Sequence, residues 1–119
     1  MQFDAQRAEY DARFPGARYS VILVDGRPAG RLWVGEDARE IRLLDIAILP
    51  EFQNHGVGAR LVRDLIEEAA TTARPLRHMV FILNTGARRF YERLGFVVFE
   101  EFGGAYLHME WRPDSRTED

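Results

Sequence analysis

The sequence predicts a single layered α/β (α+β) domain: a twisted, mixed, mostly antiparallel sheet with helices on both faces. Three observations carry that expectation. Apolar spacing alternates between strand and helix periods along the chain. One long helix with an unbroken apolar stripe sits in the middle. The last third returns to short strands around a glycine pair. With 119 residues, 46% of them hydrophobic, there is apolar material for one core and not for two. No internal repeat or linker divides the chain, so residues 1–112 read as one domain and 113–119 as a polar, acidic tail.

The elements follow in order. Phe3, Arg7, Tyr10 and Phe14 recur at helical spacing, which predicts a helix over 2–14 stopped by Pro15-Gly16. Tyr19–Val24 is a strand apolar on both faces, expected to be buried on both. Asp25-Gly26 begins a turn, and Gly30–Val34 returns as a second strand. Glu40–Leu49 reads as a third, ended by Pro50. Val57, Leu61, Val62, Leu65, Ile66, Ala69, Ala70 and Ala73 form the stripe of the long helix, while Arg60, Arg63, Asp64, Glu67 and Glu68 face water. Leu76–Leu83 is a buried strand after Pro75. Asn84 suits the N-cap of a second helix with Ala87, Phe90, Tyr91 and Leu94 on one face. Gly95 and Phe96 supply its left-handed cap and the hydrophobic contact that accompanies it. Val97–Phe102 and Ala105–Trp111 are strands joined through Gly103-Gly104.

Composition narrows the chemistry. Cysteine is absent, which removes disulfides, thiolate zinc sites and a cysteine nucleophile. His55, His78 and His108 are scattered, without metal-ligand spacing, so no metal is expected. All sixteen basic residues are arginine, which excludes a lysine Schiff base, and they are spread along a chain of net charge −3. A nucleic-acid partner normally demands a basic patch. No run of ~20 apolar residues and no leader-like start is present, so a cytoplasmic location without membrane association is expected.

The segment Gln53-Asn54-His55-Gly56-Val57-Gly58 lies between a strand and the long helix. Unpaired amides and the helix dipole make such a helix start a seat for anions, and glycine lets a phosphate approach the backbone. Three phosphate-binding arrangements compete. A P-loop requires lysine, which the chain lacks. A dinucleotide fingerprint requires a third glycine and a βαβ unit at the first strand. The third is the pyrophosphate loop Gln/Arg-x-x-Gly-x-Gly/Ala of acyl-CoA transferases.

On that loop, and on Asn84–Phe96 (NTGARRFYERLGF), the chain resembles the GNAT acetyltransferase superfamily. The second segment follows the signature Asn-x-x-Ala-x-x-Phe-Tyr-x-x-x-Gly-Phe, and Leu44–Pro50 resembles the strand preceding the loop. The resemblance runs from about Tyr19 to Trp111. It implies acetyl-CoA as acyl donor, with the amides of Asn54 to Ala59 (Asn54, His55, Gly56, Val57, Gly58, Ala59) and Gln53 around the pyrophosphate. The backbone of Ile46, Ala47 and Ile48 would receive the pantetheine arm as an added strand. The strands ending at Ile48 and starting near Met79 would splay apart. Asn84 and Ala87 would line the cofactor side, the Ile48 N–H would stabilise the carbonyl oxygen, and Tyr91 would act as acid at the sulfur.

The resemblance thus implies an N-acetyltransferase acting on a primary amine, from a small molecule or a peptide, in a direct ternary complex. The general base stays open among Asp45, Glu100, Glu101 and His108, and an ion pair to a neighbouring arginine is the plainer expectation for Asp45. The alternative is a non-catalytic acyl-CoA-binding or dimerisation module. One departure from the family pattern bears on this. The usual opening strand and helix have no counterpart, so the fold is expected to be N-terminally shortened. The strand Tyr19–Val24 would then be a bare sheet edge, and a homodimer through it is expected.

Overall fold

The computed structural model describes residues 12–113. Of the helix expected over 2–14, only Ala12, Arg13 and Phe14 fall among these, with Ala12 and Arg13 helical; the rest of it, and residues 114–119 of the tail, lie outside the described residues. Six strands form one sheet: β1 (Arg18–Val24), β2 (Arg27–Glu36), β3 (Ile41–Ile48), β4 (Leu76–Phe81), β5 (Val97–Phe102) and β6 (Tyr106–Trp111). Two helices connect them, α1 (Val57–Thr72) and α2 (Thr85–Arg93). The strand order is β1-β2-β3-β4-β6-β5, antiparallel except where β3 meets β4.

Both helices pack on one face. Val62, Leu65 and Ala69 of α1 and Tyr91 of α2 are buried against Val34, Ile41, Leu43, Leu76, Val80, Leu107 and Met109. A fully buried leucine or valine contributes roughly 1.5–3 kcal/mol by leaving water. On the other face Phe14 is 1% exposed and lies against Gly35, where a Cβ would come within 2.6 Å of its ring. Gly30 has the same necessity in the ladder, because a Cβ there would strike the Ala47 carbonyl and part β2 from β3.

β1 corrects one expectation. It is an edge strand, and only Ile22 is buried; Tyr19, Val21 and Leu23 are 54%, 67% and 60% exposed. Helix α1 covers one face of this strand, shown by Arg18 reaching Glu68, and the alternate residues point the other way. β2 is longer than the sequence spacing suggests, and β4 stops at Phe81, leaving Leu83 exposed.

Two charged side chains at the start of the third strand are withdrawn from water. Glu40 and Arg42 are buried, with Arg42 Nε 2.8 Å from Glu40 Oε2. Arg77 donates to both Glu40 and Glu110 at 3.0 Å, and Arg13 reaches Glu40 at 3.1 Å. Burial alone would raise the Glu40 carboxyl, yet the hydrogen bonds and charge of Arg42, and the bond from Arg77, hold it below its ordinary range. This network ties the parallel β3–β4 junction to β6.

Candidate active site

β3 and β4 pair only at Ile41 with Leu76 and Arg42 with Arg77, and then diverge. The β4-facing edge of β3 is therefore unpaired from Leu43 onward. The Leu49 N–H donates to the Ala29 carbonyl at 2.7 Å. Main-chain groups of successive residues in an antiparallel ladder point to alternate edges. By that alternation the N–H groups of Ile46 and Ile48 point into the opening, whereas Ala47 spends its own on Arg31 of β2. Ala47 is thus a correction: its main chain belongs to the sheet.

The loop after β3 folds back through a 3₁₀ turn, Pro50–Phe52. Gln53 donates its side-chain amide to the Ile48 carbonyl at 2.8 Å, and its own N–H to Pro50. It therefore anchors the loop to the strand. Asn54 and Gly56 adopt left-handed backbone, φ +65° and +80°. Gly56 caps α1 with no side-chain hydrogen bond, and no acidic residue stands in the first turn. The first bond within the helix is Arg60 N–H to the Gly56 carbonyl. The amides of Gly56, Val57, Gly58 and Ala59 precede it and have no carbonyl one turn back to receive them. Helices usually quench these donors with Ser, Thr, Asp or Asn; here Gly56 supplies no such cap.

These two features border one cleft of about 560 Å³. Ile46, Ile48, Gln53, Asn54, Gly56 to Ala59 and Tyr91 line it together. His55 is exposed and does not line it. Phe52, which the motif positions do not single out, and Phe90, the phenylalanine of the Asn84–Phe96 signature, complete the lining. Gly58 lies 3.4 Å, measured from a built Cβ, from the Ile48 side chain, so a larger residue would fill the cleft.

A second cavity of about 250 Å³ opens between β3 and β4 and shares Ile46 and Tyr91 with the first. Asn84 and Ala87 line it, and the Asn84 side chain accepts the Ala87 N–H at 3.0 Å as the cap of α2. The C-terminal end of α2 closes as the sequence suggests: Phe96 N–H to the Tyr91 carbonyl, Gly95 N–H to that of Glu92, with Gly95 at φ +101°. This closure fixes Tyr91 one turn from a rigid end.

Tyr91 is 7% exposed, and burial pushes its phenol up to about 12. His78 of β4 packs on it, ring centroids 3.7 Å apart. His78 is held down to about 3, first by burial, then by the positive Arg42 and by His108, so it is neutral. Among the described residues neither of its ring nitrogens has a hydrogen-bond partner. An imidazole so buried costs on the order of 1–3 kcal/mol.

The candidate bases separate. Asp45 lines the second cavity but is paired with Arg31 at 2.6 Å, the plainer expectation. His108 Nδ1 stands 3.3 Å from Glu100 Oε1; burial lowers the ring's pKa, and Glu100 offsets this only in part. Glu101 is exposed on β5. None of His108, Glu100 and Glu101 lines either cavity.

A family description, "Acetyltransferase (GNAT) domain", matches residues 15–98, which include both the loop and the Asn84–Phe96 segment. The chain belongs to the GNAT acetyltransferase family. Among relatives of this GNAT domain, the uncharacterised N-acetyltransferase MJ1207 of Methanocaldococcus jannaschii is 33% identical over 86 residues, 66% of this chain and 38% of MJ1207. The uncharacterised N-acetyltransferase CgeE of Bacillus subtilis (strain 168) is 30% identical over 71 residues, 60% of this chain and 27% of CgeE. The matched stretch is thus well under half the length of either relative. A GNAT family acetyltransferase from Elizabethkingia anophelis, solved with acetyl-CoA bound, superposes with a TM-score of 0.73 at 17% identity, covering 87% of this chain and 82% of that one. At that identity the superposition shows the shared fold. Among the described residues no helix is long and apolar enough to cross a membrane.

Proposed function

We propose that this GNAT domain transfers the acetyl group of acetyl-CoA to a primary amine by direct attack, with no covalent enzyme intermediate. The observation that carries it is the single cleft in which the free amides of α1, the unpaired edge of β3 and Tyr91 converge. The residues fit the coenzyme. The amides of Gly56 to Ala59 suit a pyrophosphate. Ile46 and Ile48 offer main-chain groups to an extended amide arm. The Ile48 N–H is the donor for the carbonyl oxygen as negative charge grows there.

In the transfer the amine lone pair forms the new C–N bond, the C–S bond breaks, and sulfur takes its electron pair. The amine nitrogen gives up one proton. Tyr91, with its phenol at about 12, stays protonated at any working pH and donates a hydrogen bond to the departing sulfur. A thiol is ordinarily near 8.5, so complete transfer from this phenol is uphill, and Tyr91 works chiefly by donating. His108, neutral and paired with Glu100, lines neither cavity and reaches the amine proton only through intervening water, whereas Asp45 lines the second cavity but is already engaged by Arg31.

Steady thiol release from acetyl-CoA with a panel of amines tests this. Turnover that falls on the order of 100-fold in Tyr91→Phe supports the reading. Saturable coenzyme binding without turnover supports the alternative, a non-catalytic binding module. A homodimer through the outer edge of β1 belongs to the same proposal. Antiparallel pairing of two copies about Val21 sets Tyr19 opposite the partner's Leu23, joining two exposed apolar rows across a self-complementary edge. A monomer in sedimentation at micromolar concentration, unaltered by Val21→Lys, contradicts the dimer.

A further inference from the structure

We infer that His78 is a positioning residue that fixes the plane of the Tyr91 ring; this rests on the role proposed for Tyr91. The Tyr91 ring is boxed by three others. His78 lies at 3.7 Å and 45°, Phe90 at 5.0 Å and 82°, Phe96 at 5.4 Å and 71°. Aromatic pairs ordinarily sit roughly 4.5–7 Å apart. The His78 contact is closer than that range. Phe96 in turn meets His78 edge-on at 5.3 Å, so the imidazole is itself held from behind.

His78 belongs to the centre of β4, opposite Met109 of β6, and lines the cavity between β3 and β4 beside Tyr91. A buried polar ring with both nitrogens unpaired is a poor choice for a core. A leucine would fill a similar volume without that penalty. A residue held against stability, in contact with the proposed acid, is what a site under functional constraint looks like. His78 does not move the proton. It is neutral above about pH 3, and among the described residues neither ring nitrogen bonds the Tyr91 hydroxyl.

The test is His78→Leu, alone and with Tyr91→Phe. In His78→Leu the unfolding midpoint at neutral pH is unchanged or higher, kcat falls on the order of 10-fold from misplacement of the phenol, and KM for acetyl-CoA stays within about two-fold. In the Tyr91→Phe background His78→Leu causes no further loss, since it acts through Tyr91. A wild-type kcat in His78→Leu, or an equal loss in both backgrounds, overturns the assignment. A wild-type rate in Tyr91→Phe instead removes the underlying role of Tyr91. A readout independent of turnover is the Tyr91 ring in proton NMR. Slow ring flips give separate resonances for the two sides in the wild type and averaged ones in His78→Leu. Averaged resonances in the wild type count against His78 whatever the kinetics.

Discussion

Acid should destabilise this protein through His78 before its carboxylates are protonated. In the folded state His78 titrates at about 3, against an ordinary 6.5, because it is buried beside the positive Arg42 and His108. Between those two values the unfolded chain binds a proton that the folded chain refuses. Stability is therefore complete above the ordinary value and is lost as pH falls below it, at about 1.4 kcal/mol per unit. Moving from about pH 7 to about pH 4.5 should cost about 3 kcal/mol, a large part of the roughly 5–15 kcal/mol that holds a domain of this size. Urea unfolding of the wild type and His78→Leu at about pH 7 and about pH 4.5 measures it, with the carboxylate contribution common to both proteins. The wild type should lose about 3 kcal/mol more than the variant. Parallel losses would refute the burial argument, since they require His78 to charge as easily folded as unfolded.

Three other outcomes follow from the same geometry. Gly56→Ala has room for its methyl group but must hold φ +80°, so it should lose about 1–2 kcal/mol in thermal or urea unfolding and bind coenzyme A more weakly by calorimetry. Glu40→Gln leaves the Arg42 guanidinium buried without its counter-charge and should cost roughly 3–5 kcal/mol. Because the native Glu40 carboxyl lies below its ordinary 4.5, its contribution is present above that pH and disappears as pH falls through the lower folded value; the variant should lack this acid-side loss. For the proposed activity, kcat/KM should rise as the acceptor amine deprotonates and show no alkaline decline before about pH 10, because Tyr91 keeps its proton; a decline well below that pH, absent in Tyr91→Phe, contradicts it.

The order of the elements and the position of the cleft were legible because both rest on local signals. Glycine at 56 and 58, the stripe of α1, the Asn84 cap and the Gly95 closure each act within a few residues. What was not legible depends on partners distant in sequence. Glu40 and Arg42 are charged residues at the start of a strand, and Arg13, Arg77 and Glu110, all distant in sequence, make their burial possible. The exposed row on β1 reads as core because apolar alternation does not say whether a second layer lies above it. Phe90 stands beside Tyr91 in the same signature, and Phe52 follows the strand-ending proline, so both were within reach of the motif. The contact between His78 and Tyr91 joins a strand to a helix across the core, and no spacing rule points to it.

The most direct measurement is an amide NMR titration with coenzyme A. The donors left free at the start of the long helix should respond first and saturably, with Gly56, Val57, Gly58 and Ala59 shifting most and Ile46 and Ile48 following along the strand edge. If those signals stay in place under excess coenzyme while others move, the phosphate seat lies elsewhere, and the proposed chemistry at Tyr91 loses its footing.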